Sequence, residues 1–195
     1  MTRLSQQLSF ILEIDKLKSI LRQTPVTGPQ HRQENDAEHS WHIAIMASLL
    51  CEYAASPVDV ARVTHMLLVH DIVEIDAGDT FAYDTAAYAD KAERESRAAD
   101  RLFSLLPDDQ AANFRALWDE FEAGATAESR FANALDRLQP LLLNFHTGGG
   151  SWSRHRVSRA QVLKRMEPVR TGTPELWPTV LAVVEEAFTR QWLPE

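Results

Sequence analysis

Residues 69–79 read VHDIVEIDAGD and directly follow the apolar run Met66-Leu67-Leu68. The segment places five ionisable side chains within ten residues, immediately after a leucine-rich surface that suits a protein core. Burying an unpaired charge is costly, so these side chains must be solvated, paired or bound to a ligand. On a helix, His70 and Asp71 both lie within one turn of Glu74, which groups three candidate ligands or proton carriers on one patch. Taken alone, the segment fits a solvated helix end and a functional site equally well.

The sequence around this segment has a helical period almost throughout. Apolar residues spaced by three and four predict a first helix over 4–21, and the polar stretch that follows, up to Asn35, is predicted to be a loop. Apolar spacing and capping signals predict further helices over 36–54 (begun by Asp36), 56–71 (begun by Ser56-Pro57), 86–106, 108–123, 126–146, 158–168 and 174–192. Glycines interrupt the pattern at Gly78 and at 148–150. No alternation typical of a strand is long enough to use, so the prediction is an all-α, single-domain helical bundle.

The composition is that of a soluble globular protein. A chain of 195 residues suits one domain, and its formal net charge of −8 argues against a general binder of nucleic acid or of acidic membranes. The single cysteine, Cys51, cannot form an intrachain disulfide and is predicted to be a small core residue. Neither a signal peptide nor an apolar run of roughly 20 residues is recognisable, so the predicted location is the cytoplasm.

Two further segments place charged or imidazole side chains where apolar ones are expected. His39 and His42 lie one turn apart at the start of the second helix, and Asp136 interrupts an aliphatic run that includes Leu135 and Leu138. Three helices thus each offer a His or Asp from an apolar setting. Imidazole and carboxylate ligands without thiolate suit Mn, Fe, Co, Ni, Zn or Mg. The zinc-protease signature H-E-x-x-H is absent from the sequence.

The order His39, His70-Asp71, Asp136 resembles the H…HD…D signature of the HD-domain metal-dependent phosphohydrolases. The strings ENDAEHSWH and HDIVEIDAGDT are similar to the subfamily that contains the bacterial 5′-deoxynucleotidases and the eukaryotic HD-domain-containing protein 2. The resemblance covers about residues 4–145. It implies one HD-type helical domain over 1–195, in which 151–195 forms C-terminal helices without a recognisable motif.

The resemblance also implies a site and a reaction. The implied ligands of one divalent metal ion are His39, His70, Asp71 and Asp136, and the implied reaction removes phosphate from nucleoside 5′-monophosphates, with deoxyribonucleotides as one candidate class. Glu74 and Asp79 match the acids that activate water or protonate the leaving oxygen. Arg22 corresponds to an arginine that contacts the 5′-phosphate. The residue next to it is Gln23 rather than an aromatic one, which leaves the preference between deoxyribose and ribose open. A nucleotide substrate and a homodimer are the implied partners.

Three alternatives stay open at this stage. Another HD-type hydrolase would act on a nucleoside triphosphate, an alarmone or a phosphodiester. An oxygenase with two irons would need extra ligands, for which His42 and His65 are the available donors. A helical binding module without activity would leave the acids solvated.

The remaining polar and aromatic residues of interest are interpreted structurally. Solvent-facing positions are predicted for His31, His146 and His155, and a helix-end role for Asp76. The basic residues Arg154, Arg156, Arg159, Lys164 and Arg165 are predicted to form a solvated helix face, and the tryptophans to lie in the core or at an interface.

Overall fold

The computed structural model describes residues 1–28, 32–84 and 86–194. Within these residues the chain forms eleven α-helices. The helices are α1 (Arg3–Ile14), α2 (Asp36–Leu50), α3 (Val60–Val69), α4 (Glu74–Ala77), α5 (Lys91–Phe103), α6 (Asp108–Ala123), α7 (Ala127–His146), α8 (Gly150–His155), α9 (Arg159–Arg165), α10 (Glu167–Gly172) and α11 (Trp177–Thr189). Helix accounts for 70% of the structure, and the all-α prediction is confirmed. No helix in the described residues combines the length and the apolarity that crossing a bilayer requires.

The segment between α1 and α2 differs from the prediction. Helix α1 ends at Ile14, a 3₁₀ helix covers Asp15–Ser19, and two short strands follow: β1 (Leu21–Pro25) and β2 (Gln33–Asn35). The strands pair antiparallel with an irregular register. The helix predicted up to residue 21 and the loop predicted up to Asn35 were therefore wrong in part. Strands of five and three residues are too short for side-chain alternation to stand out in the sequence.

Side-chain caps set the starts of the two helices that lead to the site. The Asn35 side chain accepts a hydrogen bond from the backbone N–H of Glu38 at 3.0 Å, and the Glu38 carboxylate accepts one from the backbone N–H of Asn35, so the cap of α2 is Asn35 rather than Asp36. Helix α3 begins at Val60 and not at Ser56, because the Asp59 carboxylate accepts hydrogen bonds from the backbone N–H groups of Ala61 and Arg62.

The long helix α7 lies at the centre of the packing. Helices α2, α3, α6 and α10 pack against it, and its buried face includes Phe131, Leu135 and Leu138. The approach of α10 is closest at Gly172, where a Cβ would collide with the carbonyl oxygen of Arg130 and would lie 3.0 Å from the Cβ of Ala134.

The C-terminal region has more, shorter helices than predicted. Gly148, Gly149 and Gly150 all adopt positive φ angles; the first two form the turn before α8, and Gly150 is the first residue of that helix. The helix predicted over 158–168 ends at Arg165, and α10 then begins with Pro168 in its first turn. The helix predicted over 86–106 begins only at Lys91. The division between a motif-bearing part (4–145) and C-terminal helices (151–195) stays a prediction.

Candidate metal centre

Three core helices bring His39, His70, Asp71 and Asp136 together. His39 projects from α2, the pair His70-Asp71 directly follows α3, and Asp136 lies on α7. His39 Nε2 is 2.9 Å from Asp136 Oδ1 and 4.0 Å from Asp71 Oδ2. His70 Nε2 is 3.0 Å from Asp71 Oδ1 and 3.8 Å from Asp136 Oδ1. All four side chains are buried.

Hydrogen bonds fix both imidazoles in the tautomer that a metal needs. His70 Nδ1 lies 2.8 Å from the backbone carbonyl oxygen of Leu67, and His39 Nδ1 lies 3.1 Å from Gln139 Oε1. Because both partners are acceptors, each Nδ1 carries the proton and each Nε2 offers a lone pair. Burial lowers the pKa of both histidines, which also favours the neutral form.

The Nε2 lone pairs therefore face carboxylate oxygens, which are acceptors as well. Within the described residues, the buried Nε2 of His70 has no hydrogen-bond partner. Acceptors that converge at 3–4 Å need a cation between them, and nitrogen and oxygen ligands suit a borderline or hard divalent ion. The His/Asp cluster is thus able to bind a metal ion.

Gln139 and Glu34 support the cluster through hydrogen bonds, and the sequence analysis did not assign them to the site. The amide of Gln139 donates a 2.6 Å hydrogen bond to Glu34 Oε1, which turns the Gln139 oxygen towards His39. The same amide lies 3.2 Å from His42 Nδ1, so His42 contacts the support of the cluster rather than the cluster itself. Burial raises the pKa of Glu34 to about 7. Gln139 lies three residues after Asp136 on the same face of α7, and this polar spacing was the available signal.

Arg22 is enclosed by acids next to the cluster. Its Nη1 donates to Asp71 Oδ2 at 2.8 Å and to Asp36 Oδ1 at 3.2 Å, and its Nε lies 3.9 Å from Glu34 Oε2. Burial opposes the charge of Arg22, but Asp71 and Asp36 outweigh it and raise the pKa. Arg22 lines the cavity beside the cluster, its hydrogen bonds go to the protein's own acids, and its contact with a 5′-phosphate stays a prediction.

Glu74 and Asp79 lie close enough to Asp71 for their charges to interact with it. Single oxygen atoms of Asp36, Asp71 and Glu74 lie within 4.8 Å of one another. Burial and the charge of Asp71 raise the pKa of Glu74 well above its ordinary value, and its Oε2 has no hydrogen-bond partner in the described chain. Burial likewise raises the pKa of Asp36 to about 7. Burial also raises the pKa of Asp79, although the charge of Arg22 acts in the opposite direction. By contrast, the pKa of Asp71 is lowered to about 2, because the neighbouring His70 and the charge of Arg22 outweigh the effect of burial.

A cavity of about 370 Å³ opens beside these acids. This volume lies within the range of small-molecule sites. Cations and aromatic rings that the sequence did not assign to the site contribute to the walls: Phe81, Tyr83, Tyr88, Lys91, Phe121, Arg137, Trp152 and Arg165. Burial, with Arg165 nearby, lowers the pKa of Arg137 to about 9.

The predicted solvated face of basic residues was wrong for Arg165 and only partly right for Arg159, which is half-buried and pairs with Glu185 at 2.6 Å. Arg165 lines the cavity and donates a 3.3 Å hydrogen bond to the Tyr88 hydroxyl, whereas Arg154, Arg156 and Lys164 are exposed. Val162 on the same helix and Met166 directly after it are buried, and they turn Arg165 towards the cavity.

The remaining predictions fall outside the cluster. His65 is exposed against Phe114, His146 is exposed at the end of α7, and Asp76 forms an ion pair with Arg101. His155 is exposed, but it lies on α8 and not in a loop, and its Nε2 is 3.0 Å from Gln23 Oε1. His31 lies outside the described residues.

The tryptophans and the cysteine divide by burial. Trp118 and Trp152 are buried and Cys51 packs partly buried against the core, whereas Trp41 is 63% exposed on α2.

Comparisons with known proteins place this geometry in a family. In sequence, the chain is similar to the 5′-deoxynucleotidase HDDC2 of Xenopus laevis, with 32% identity over 136 residues, which is 68% of this chain and 66% of that protein. The human protein of the same name is 29% identical over 135 residues, or 69% of this chain and 65% of that one. The chain therefore spans slightly less than two thirds of the length of these relatives.

Solved structures agree with the sequence comparison. A predicted metal-dependent phosphohydrolase from Magnetospirillum magnetotacticum MS-1 superposes with a TM-score of 0.93 at 58% identity, covering 99% of this chain and 96% of that one. An HD-domain phosphohydrolase from Listeria innocua has the same fold, with a TM-score of 0.64 at 18% identity over 95% of each chain. The sequence profile of the HD domain matches residues 14–177. The chain therefore belongs to the HD-domain family, as the resemblance predicted.

Proposed function

We propose that this protein is a divalent-metal-dependent phosphohydrolase that removes phosphate from nucleoside 5′-monophosphates, deoxyribonucleotides included. The observation that carries the proposal is the convergence of the Nε2 atoms of His39 and His70 on the carboxylates of Asp71 and Asp136. The cluster borders a cavity of about 370 Å³. The similarity to proteins named 5′-deoxynucleotidase and metal-dependent phosphohydrolase supports the same reaction.

The residues fit the chemistry of phosphate-ester hydrolysis. A divalent ion held by the four ligands would polarise a phosphoryl oxygen and make water more acidic. Glu74, with its raised pKa and its unpartnered Oε2, would hold a proton at that oxygen and transfer it to the leaving 5′-oxygen. Asp79, which directly follows Gly78 in the sequence, would take the proton of the attacking water.

The polar surroundings keep these groups in place. Gln139 holds the ring of His39, and Arg22 keeps Asp71 ionised through a 2.8 Å hydrogen bond. Gln23 lines the cavity next to Arg22, where its amide could approach the sugar of a nucleotide. We therefore expect a smaller discrimination between ribose and deoxyribose than an aromatic side chain at residue 23 would give.

Purified protein should release phosphate from a panel of nucleoside 5′-monophosphates in the presence of Mn²⁺ or Co²⁺. His70→Ala and Asp71→Ala should abolish the release and the stoichiometric binding of metal. His65→Ala is the matched control, because His65 is exposed on α3, the helix that leads to His70. The proposal fails if no nucleotide is hydrolysed faster than by the His70→Ala variant.

Other HD-type hydrolases remain the nearest alternative. Release of pyrophosphate or triphosphate instead of phosphate would identify a nucleoside triphosphate or an alarmone as the substrate, and cleavage of a diester would identify a phosphodiesterase. An oxygenase with two irons is disfavoured, because His42 contacts Gln139 and His65 is exposed. Counting the metal ions per chain tests this directly.

We also propose a homodimer in the cytoplasm, by resemblance to the family. Large apolar side chains are exposed on α1 and α2, with Leu12 74% and Trp41 63% exposed, and either helix offers a surface for a second copy. Sedimentation equilibrium measures the oligomeric state, and a monomer at micromolar concentration would contradict this part of the proposal.

A further inference from the structure

Arg165 differs from the other cations of the cavity in lacking an acidic partner. Four basic side chains line the cavity: Arg22, Lys91, Arg137 and Arg165. Among the residues that the structure describes, no carboxylate lies within ion-pair distance of Arg165. Its hydrogen bond goes instead to the hydroxyl of Tyr88, at 3.3 Å.

The other three cations are already engaged. Arg22 donates to Asp71 and Asp36, as described above. Lys91 Nζ lies 2.6 Å from Glu95 Oε1, and Arg137 forms an ion pair with Asp136 Oδ2. These charges balance acids of the cavity wall, which leaves Arg165 free to face a ligand.

The guanidinium of Arg165 is oriented by one hydrogen bond and by the packing of the helix that carries it. Val162 and Met166 anchor α9 in the core, and the Ser158–Gln161 capping box fixes the start of this helix. Tyr88 accepts from Nη1 on the opposite wall. A half-buried guanidinium that is pre-positioned in a cavity loses less conformational entropy when it binds an anion.

We propose that Arg165 binds the phosphoryl oxygens of the substrate and that Tyr88 positions its guanidinium. This inference rests on the proposed function, because it assigns a residue to the phosphate of that reaction. Asp71 and Asp136, the carboxylates that would hold the ion, also pair with Arg22 and Arg137, so neither of these arginines is available to add positive charge for a phosphate dianion. Arg165 supplies that charge and a planar pair of donors.

The experiment measures binding of inorganic phosphate to the Mn²⁺-loaded full chain by calorimetry, together with nucleotide kinetics. Arg165→Gln should weaken phosphate binding by about 10- to 100-fold. It should raise KM more than it lowers kcat, since the contact exists before the transition state. Arg165→Lys keeps the charge but loses the paired donors, so we expect an intermediate loss.

Two more variants separate local from general effects. Lys164→Gln is the matched control, because Lys164 is the exposed neighbour on the same helix, and it should bind phosphate like the wild type. Tyr88→Phe removes only the hydroxyl that accepts from Arg165, and it should weaken phosphate binding less than Arg165→Gln does.

The outcomes distinguish this inference from the proposed function. If nucleotides are hydrolysed but Arg165→Gln and Lys164→Gln bind phosphate equally well, the role of Arg165 is refuted and the function stands. If no nucleotide is hydrolysed but phosphate binding depends on Arg165, the anion site stands and the substrate assignment falls. If Arg165→Gln does not fold, Arg165→Lys decides, and wild-type affinity in that variant refutes paired donation.

Discussion

Gln139 offers the sharpest test of how the cluster is built. Its oxygen accepts the Nδ1 proton of His39 at 3.1 Å, and its nitrogen donates to Glu34 at 2.6 Å. Gln139→Leu keeps the volume of the side chain but removes both hydrogen bonds. Loss of a partner behind a metal-binding histidine typically weakens metal binding by about 10- to 100-fold. That loss corresponds to about 1.4–2.8 kcal/mol of binding free energy.

A second variant separates the two hydrogen bonds. Gln139→Glu retains an acceptor for His39 but removes the donor to Glu34 and places a new carboxylate opposite it. We expect Gln139→Glu to bind metal about as tightly as the wild type, because a carboxylate also orients a metal-binding imidazole. Its free energy of unfolding should fall, since a buried Glu34 without its donor costs about 1–3 kcal/mol.

Metal affinity is measured by competition with a chromophoric chelator, and stability by urea unfolding of the metal-free protein. Gln110→Leu, at a partly buried position on the outer side of α6 facing Gln7, serves as the control for a Gln-to-Leu change. Equal metal affinity in Gln139→Leu and the wild type would refute the view that Gln139 orients His39. Equal losses in Gln139→Leu and Gln139→Glu would show that packing, and not the acceptor, matters.

Three other outcomes are expected. Glu74→Gln should lower kcat by about 10²- to 10⁴-fold in a phosphate-release assay while keeping its metal, because it removes a proton carrier; loss of activity in the surface control Asp76→Asn as well would contradict this. Chelation of the metal should lower Tm reversibly, because an ion at 100 times its Kd adds about 2.7 kcal/mol to the free energy of unfolding. If a thermal-shift assay shows that added Mn²⁺ raises Tm equally in His70→Ala and the wild type, the ion does not bind at this cluster. Gly172→Ala should lower the free energy of unfolding by about 1–3 kcal/mol, because the new Cβ would collide with the carbonyl oxygen of Arg130. Gly28→Ala is the control: no described atom lies within 4 Å of its Cβ, so the midpoint of urea unfolding should not change.

The helices and the grouping of the four candidate ligands follow from strong local patterns. His39 and Asp136 each interrupt an apolar helical face, and a polar side chain that shares the face of a core must be buried with a partner. Such positions stand out in the sequence because the flanking residues already determine the direction of the side chain. The hairpin of β1 and β2 does not stand out, because pairing between strands of five and three residues depends on contacts that are distant in sequence.

The walls of the cavity depend on packing that no local pattern encodes. Lys164 and Arg165 are adjacent and chemically similar, yet one is exposed and the other lines the cavity. The difference arises from the burial of Val162 and Met166, which sets the rotation of α9. Gln139 was missed for a related reason, because nothing local to an uncharged side chain indicates that it supports a histidine 100 residues away in sequence.

The candidate ligands lie at the floor of the cavity, and other parts of the chain form its walls. The candidate ligands lie on α2, α7 and the end of α3, whereas the walls include the residues after Gly78 and the helices α8 and α9. Substitutions in the walls can therefore change which phosphate ester fits without moving a ligand. Proteins that share the motif can differ in substrate for this reason, and a library that aims to redirect the selectivity of this protein should vary residues 80–83 and 152 while it keeps the candidate ligands, Tyr88 and Arg165.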